Sequence, residues 1–191
     1  MKFRFVRLIY SLILCIFLTS GALAQSYHKL NVSDFKGIPQ HNNGGVIAYT
    51  NTTINYTYVP SWQNGYYRLD FTIKLVVNKN ESWIDKSRVT SPEMLAEILK
   101  HEQGHYNIAY LEQQELLRTV GRTVFYDDYL TKAKEILHRI DAKYKQLNAD
   151  YDEDTNHMLN REQQRSWDAY FKKQLEFLPP DSEGLTRNNS R

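Results

Sequence analysis

The chain has 191 residues, with 24 Lys+Arg against 22 Asp+Glu, and a single cysteine. Its formal charge of +2 is set by the first residues: Lys2, Arg4 and Arg7 precede an apolar run from Leu8 to Leu18, and Ala22-Leu23-Ala24 lead into Gln25. A basic start, a short apolar run and a small-x-small exit predict a secretory signal peptide over residues 1–24. The run is too short for a spanning helix, which needs about 20 residues, so no stable membrane anchor is expected once the signal is removed.

Without that segment the mature chain has 167 residues, with 21 basic against 22 acidic, a balance of −1. Composition then offers nothing to attract a nucleic acid. Cys15 lies in the apolar run, so a mature chain has no disulfide, thiolate nucleophile or cysteine-ligated metal. Export to the periplasm or the medium is expected, with one domain over 25–178 and a flexible polar tail over 179–191.

In chain order, strand signals come first. Val46–Thr50 and Ile54–Val59 are rich in β-branched and aromatic residues, and Pro60 and Asn64-Gly65 then break the pattern. From Tyr66 to Val77, Tyr67, Leu69, Phe71, Ile73 and Leu75 alternate with polar residues, as in a half-buried antiparallel strand. Ser91-Pro92 with Glu93 reads as a helix start, and Met94, Leu95, Ile98, Leu99, Ile108 and Leu116 keep helical spacing to about Val120. A second helix is predicted from Tyr129 to Ala149 and a third from Asn160, where Asn160 and Gln163 resemble a capping box. Strands followed by helices predict an α+β domain, a small antiparallel sheet on a helical bundle.

The first long helix carries His101-Glu102-Gln103-Gly104-His105. Residues four apart lie on one helical face, so both imidazoles can bind one Zn²⁺, while Glu102 sits where a general base would reach a water on the metal. Gly104, inside a helix, costs about 1 kcal/mol relative to alanine and suggests a close neighbour. The metzincin continuation is absent, because Ile108 and Leu111 occupy its Gly and His positions. A third ligand is open among Glu135, the Asp127-Asp128 pair and the stretch Tyr151-Asp152-Glu153-Asp154-Thr155-Asn156-His157, read as the turn between the second and third helices. His28 and His41 precede the main strands, and His138 reads as a surface or boundary histidine. Tyr151 is read chiefly as an aromatic closing that turn, and otherwise as a hydrogen-bond donor to a transition-state oxyanion.

The sequence resembles a bacterial family described as predicted secreted zinc-dependent proteases, long catalogued as a domain of unknown function. The likeness rests on Asp34-Phe35-Lys36-Gly37-Ile38-Pro39, on Ser82-Trp83, on the motif from Leu99 to Ala109, and on Tyr151-Asp152-x-x-Thr155-x-His157 followed by Gln163 or Gln164 and Trp167. By this resemblance His157 becomes the preferred third ligand, with Glu153 or Asp154 as the alternative. One departure stands out: the family usually has Gly after that histidine, and this chain has Met158.

The expected function is that of a zincin-like metallopeptidase. His101, His105 and His157 hold zinc, Glu102 is the base, and a peptide or protein is the substrate, paired to a strand edge such as Tyr66–Val77. The main competing expectation is a non-catalytic zinc-binding envelope protein with a structural or partner-binding role. A metal-free helical interaction module is a further one.

Overall fold

The computed structural model describes residues 27–40 and 45–178; the leader, His41 and the tail lie outside them. The chain is α+β. Among the described residues four strands, β1 (Ala48–Tyr49), β2 (Thr52–Gln63), β3 (Tyr66–Val77) and β4 (Trp83–Ile84), precede three α-helices, α1 (Pro92–Arg122), α2 (Tyr129–Thr155) and α3 (Arg161–Glu176).

Instead of one sheet there are two antiparallel pairs. β2 and β3 form a long hairpin, and β1 pairs with β4 through Ala48–Ile84 and Tyr49–Trp83. The hairpin turns on Asn64-Gly65, both at positive φ (50° and 88°), as a tight two-residue hairpin turn demands. Pro60, expected to end the strand, instead sits within β2 opposite Leu69. It is tolerated because, among the described residues, β2 pairs with β3 alone, so the missing N–H breaks no second ladder. On β3 the alternation holds: Leu69, Ile73 and Leu75 are buried and Arg68, Asp70, Thr72 and Lys74 are exposed.

Ser91 caps α1 by accepting from the Met94 amide, and Pro92 occupies the first helical position, where a missing N–H costs nothing. Two apolar clusters meet along α1. One joins it to β3, α2 and α3 through Ile73, Leu111, Ile140 and Phe171. The other joins it to the N-terminal segment, β1 and β4 through Leu30, Phe35, Ile84, Ile98 and Tyr106. The Asp34–Pro39 element therefore serves the fold. Asp34 is buried against Lys79 Nζ at 2.8 Å and His28 Nε2 at 3.0 Å. A Cβ on Gly37 would lie 2.8 Å from the Asn80 carbonyl oxygen, so only glycine lets these backbones touch.

The second helix is longer than its sequence pattern suggests. Tyr151 to Thr155 form the last turn of α2, and the connection is Asn156–Asn160. Asp, Asn and Thr favour turns through local side-chain bonds, but here burial of Tyr151 and Thr155 keeps the segment helical. Asn156, His157 and Met158 then follow at φ of 43°, 48° and 76°. Three successive left-handed residues without a glycine are strained by about 1 kcal/mol or more each. The turn is held by the Asn160 amide on the Thr155 carbonyl at 2.8 Å and by Met158, which packs into the second core cluster.

Candidate metal centre

His101 and His105 project from one face of α1 toward α2. Asn148 and Asp152 face them from α2, again four residues apart. The His101 and His105 Nε2 atoms lie 3.3 Å apart, and each is 3.2 Å from Asp152 Oδ1. His157, thrown back by the left-handed turn, brings Nδ1 to 3.3 Å from the same oxygen.

Hydrogen bonds on the far side of each ring decide what these nitrogens offer. The Gln164 amide nitrogen donates to Asp168 Oδ1 at 3.1 Å, so its Oε1 is the acceptor that meets His101 Nδ1 at 3.1 Å. Asn148 Oδ1 meets His105 Nδ1 at 2.8 Å in the same way. Both Nδ1 atoms thus carry protons, and both Nε2 atoms turn toward a carboxylate oxygen. Such outer partners commonly fix the tautomer of metal-binding histidines.

The cluster attracts positive charge. Burial alone would push the His105 imidazole down, but the Asp152 hydrogen bond, the charges of Glu102 and Asp152 and the Asn148 bond together raise it to about 9. Burial would raise Asp152, yet hydrogen bonds from His101 and His105 and their charges hold it well below the usual carboxylate range. Zinc bonds of about 2.0–2.1 Å in a tetrahedron separate neighbouring ligand atoms by about 3.3 Å. The spacing of 3.2–3.3 Å between the two α1 imidazoles, and from each of the three imidazoles to Asp152 Oδ1, suits a cation of that size. His101, Asp152 and His157 form the one such group among the described residues, and His105 borders it through Asp152 Oδ1.

Glu102 is 3% exposed, and its Oε2 accepts from the Thr50 hydroxyl at 2.6 Å. Thr50 follows β1, so the short strand carries the group that orients this carboxylate. The four cluster residues, Glu102 and the start of β2 line a groove of about 700 Å³ between α1, α2 and the strands. β3 does not line it: its place is taken by residues 46–50 of the β1 segment and by β2. The edge expected from Tyr66–Val77 is turned instead toward the core and Phe125.

Tyr151 is fully buried, its hydroxyl donating to the His101 carbonyl at 3.0 Å and lying within hydrogen-bond distance of Gln164. That placement puts the phenol behind the histidines and outside the groove, away from where a transition-state donor would act. Its ring explains Gly104, where a Cβ would lie 2.2 Å from the Tyr151 hydroxyl oxygen. Glu153 and Asp154 are exposed, and Asp154 accepts from the Trp167 indole at 2.9 Å, on the side of α3. Asp152, the residue before them, is the carboxylate that enters the cluster. Glu135, Asp127 and Asp128 are exposed and lie outside it, and His28 is engaged with Asp34.

Sequence reasoning held Asp152 within its candidate stretch without singling it out, and missed Thr50 and Asn148. The i, i+4 pair Asn148–Asp152, matched to His101–His105 on the preceding helix, was the available signal.

No curated protein and no solved structure matches the chain. Among protein families, the one described as bacterial protein of unknown function (DUF922) matches residues 25–158, a span that includes His101, His105, Asp152 and His157. The chain belongs to that family.

Proposed function

We propose that this chain is an exported, zincin-like zinc metallopeptidase. The observation that carries the reading is the gathering of His101, His105 and His157 around Asp152 Oδ1 at the wall of an open groove, with the buried Glu102 carboxylate lining the same groove. When bound there, zinc would lower the pKa of a water toward about 7 and polarise a substrate carbonyl.

The chain's own groups do the rest. Gln164 and Asn148 hold the two imidazoles with Nε2 forward. Thr50 pins Glu102 Oε2, leaving Oε1 to take a proton from the attacking water and pass it to the leaving nitrogen. The groove, flanked by a two-residue strand, suits an extended peptide. Export rests on the leader motif; among the described residues no helix is long and apolar enough to cross a membrane.

The test is Glu102→Gln in zinc-loaded protein, assayed on dye-quenched casein and on a mixed peptide pool read by mass spectrometry. Cleavage by the unsubstituted chain should fall by about 10²-fold or more while zinc content is unchanged. Equal cleavage by both proteins would remove the catalytic role.

A second reading, a non-catalytic zinc-binding envelope protein, is favoured by one observation: four protein donors converge, and a structural zinc site uses four. Cobalt substitution separates the two. A site with an exchangeable position changes its visible spectrum when acetohydroxamate is added, and a closed one does not.

A further inference from the structure

The groove does not end at the metal cluster. Along α1 the face bearing His101 and His105 continues to Glu112, and along α2 the face bearing Asp152 and Asn148 continues to Lys145 and Asp141. All of them line the same cavity. Asp141 is already paired, its Oδ2 lying 2.9 Å from Lys145 Nζ. Glu112 has no hydrogen bond or ion pair of its own among the described residues and is half-buried. With Lys145 matched to Asp141, Glu112 is the acid left without a cation of its own at this end of the groove.

Resting on the peptidase reading above, we propose that Glu112 is the specificity-determining group of a subsite for a lysine or arginine side chain of an extended peptide. Its separation from the cluster sets the register. Seven helical residues from His105 to Glu112 span about 10 Å, and an extended peptide advances about 3.3 Å per residue. The basic residue therefore lies about three positions from the bond held at the cluster. Burial, then the Asp141 charge, raise the Glu112 carboxyl to about 7 against the opposing pull of Lys145. A cation entering the subsite reverses that penalty, so selectivity against neutral side chains follows from the same burial.

Binding tests this independently of turnover. Zinc-loaded Glu102→Gln protein is titrated, by fluorescence anisotropy, with acetylated peptides about eight residues long, identical except that one lysine is walked along a glutamine background. One lysine position should bind about 10-fold or more tightly than the all-glutamine peptide. The gain should vanish when Glu112→Gln is added and pass to glutamate at that position with Glu112→Lys. Equal binding at every lysine position, or a preference unchanged by Glu112→Gln, overturns the subsite. So does no binding by any peptide. Should either Glu112 variant fail to fold, the lysine walk on the parent protein decides alone.

The unsubstituted chain, given the same peptides, reports on the underlying reading. Lysine-selective binding without cleavage keeps the subsite and defeats the peptidase. Cleavage indifferent to lysine does the reverse.

Discussion

The Thr50 hydroxyl donates to Glu102 Oε2 at 2.6 Å, joining residues 52 apart in sequence and both nearly inaccessible to solvent. A carboxylate this deep needs such a partner, because leaving it unsatisfied costs about 1–3 kcal/mol. The bond also stops the carboxylate from rotating, which fixes where its second oxygen lies.

Thr50→Val keeps the shape and removes the donor. It should lower stability by about 1–3 kcal/mol and cut turnover more than it changes substrate KM, with zinc content intact. Thr50→Ser should restore both. Thermal melts and steady-state kinetics on the three proteins check this.

Gly104 and Tyr151 form a second pair, in which the ring occupies the space a Cβ would need. A Cβ at position 104 would fall on the Tyr151 hydroxyl oxygen and ring Cζ, which leaves no room for alanine. Gly104→Ala should destabilise by about 1–3 kcal/mol despite alanine's better helix propensity, and should weaken zinc binding by displacing the ring that stacks on His101. In a Gly104→Ala, Tyr151→Ala double variant the losses should be less than additive, which a double-mutant cycle measures.

Glu112 gives stability a pH dependence of known sign. Its carboxyl rises from 4.5 to about 7 on folding, chiefly by burial, so between those pH values the folded chain holds a proton that the unfolded chain has lost. Stability from this group is therefore full below about pH 4.5, falls as pH rises toward 7, and is flat beyond. Glu112→Gln should be more stable than the parent by about 1 kcal/mol at pH 8, after allowing for solvent screening of a partly exposed group, and equal to it at pH 4. Denaturant melts at the two pH values test the sign.

The ligand set can be resolved by substitution. His157→Ala and Asp152→Ala should each weaken zinc binding, by about 10-fold or more, because His101, His105 and His157 all gather within 3.2–3.3 Å of Asp152 Oδ1. Glu153→Ala, Asp154→Ala and His138→Ala should leave it unchanged. Zinc titration against a competing chelator dye reads all five.

What could be read from sequence was what local spacing encodes. The α1 motif needs only four residues of helix to bring its imidazoles together, and β3 needs only alternation. Pro60 misled because edge position, not composition, decides whether a strand tolerates proline. Asp152 was hidden for a different reason. Its polar surroundings resemble a turn, and its role arises from antiparallel packing of α1 on α2 across 51 residues. Thr50 and Gln164 likewise become meaningful only once β1 and α3 dock on α1. Met158 sits at φ 76°, a conformation natural to glycine, so the turn that carries His157 keeps its shape and bears the strain of a bulkier residue.

The central claim is that one divalent cation is held at the meeting of α1 and α2, and native mass spectrometry of zinc-titrated protein tests it most directly. One zinc per chain is expected, with a melting temperature that falls on chelation and loss of both properties in His101→Ala and His105→Ala. A chain that binds no stoichiometric zinc, or that binds it equally after either substitution, would contradict it.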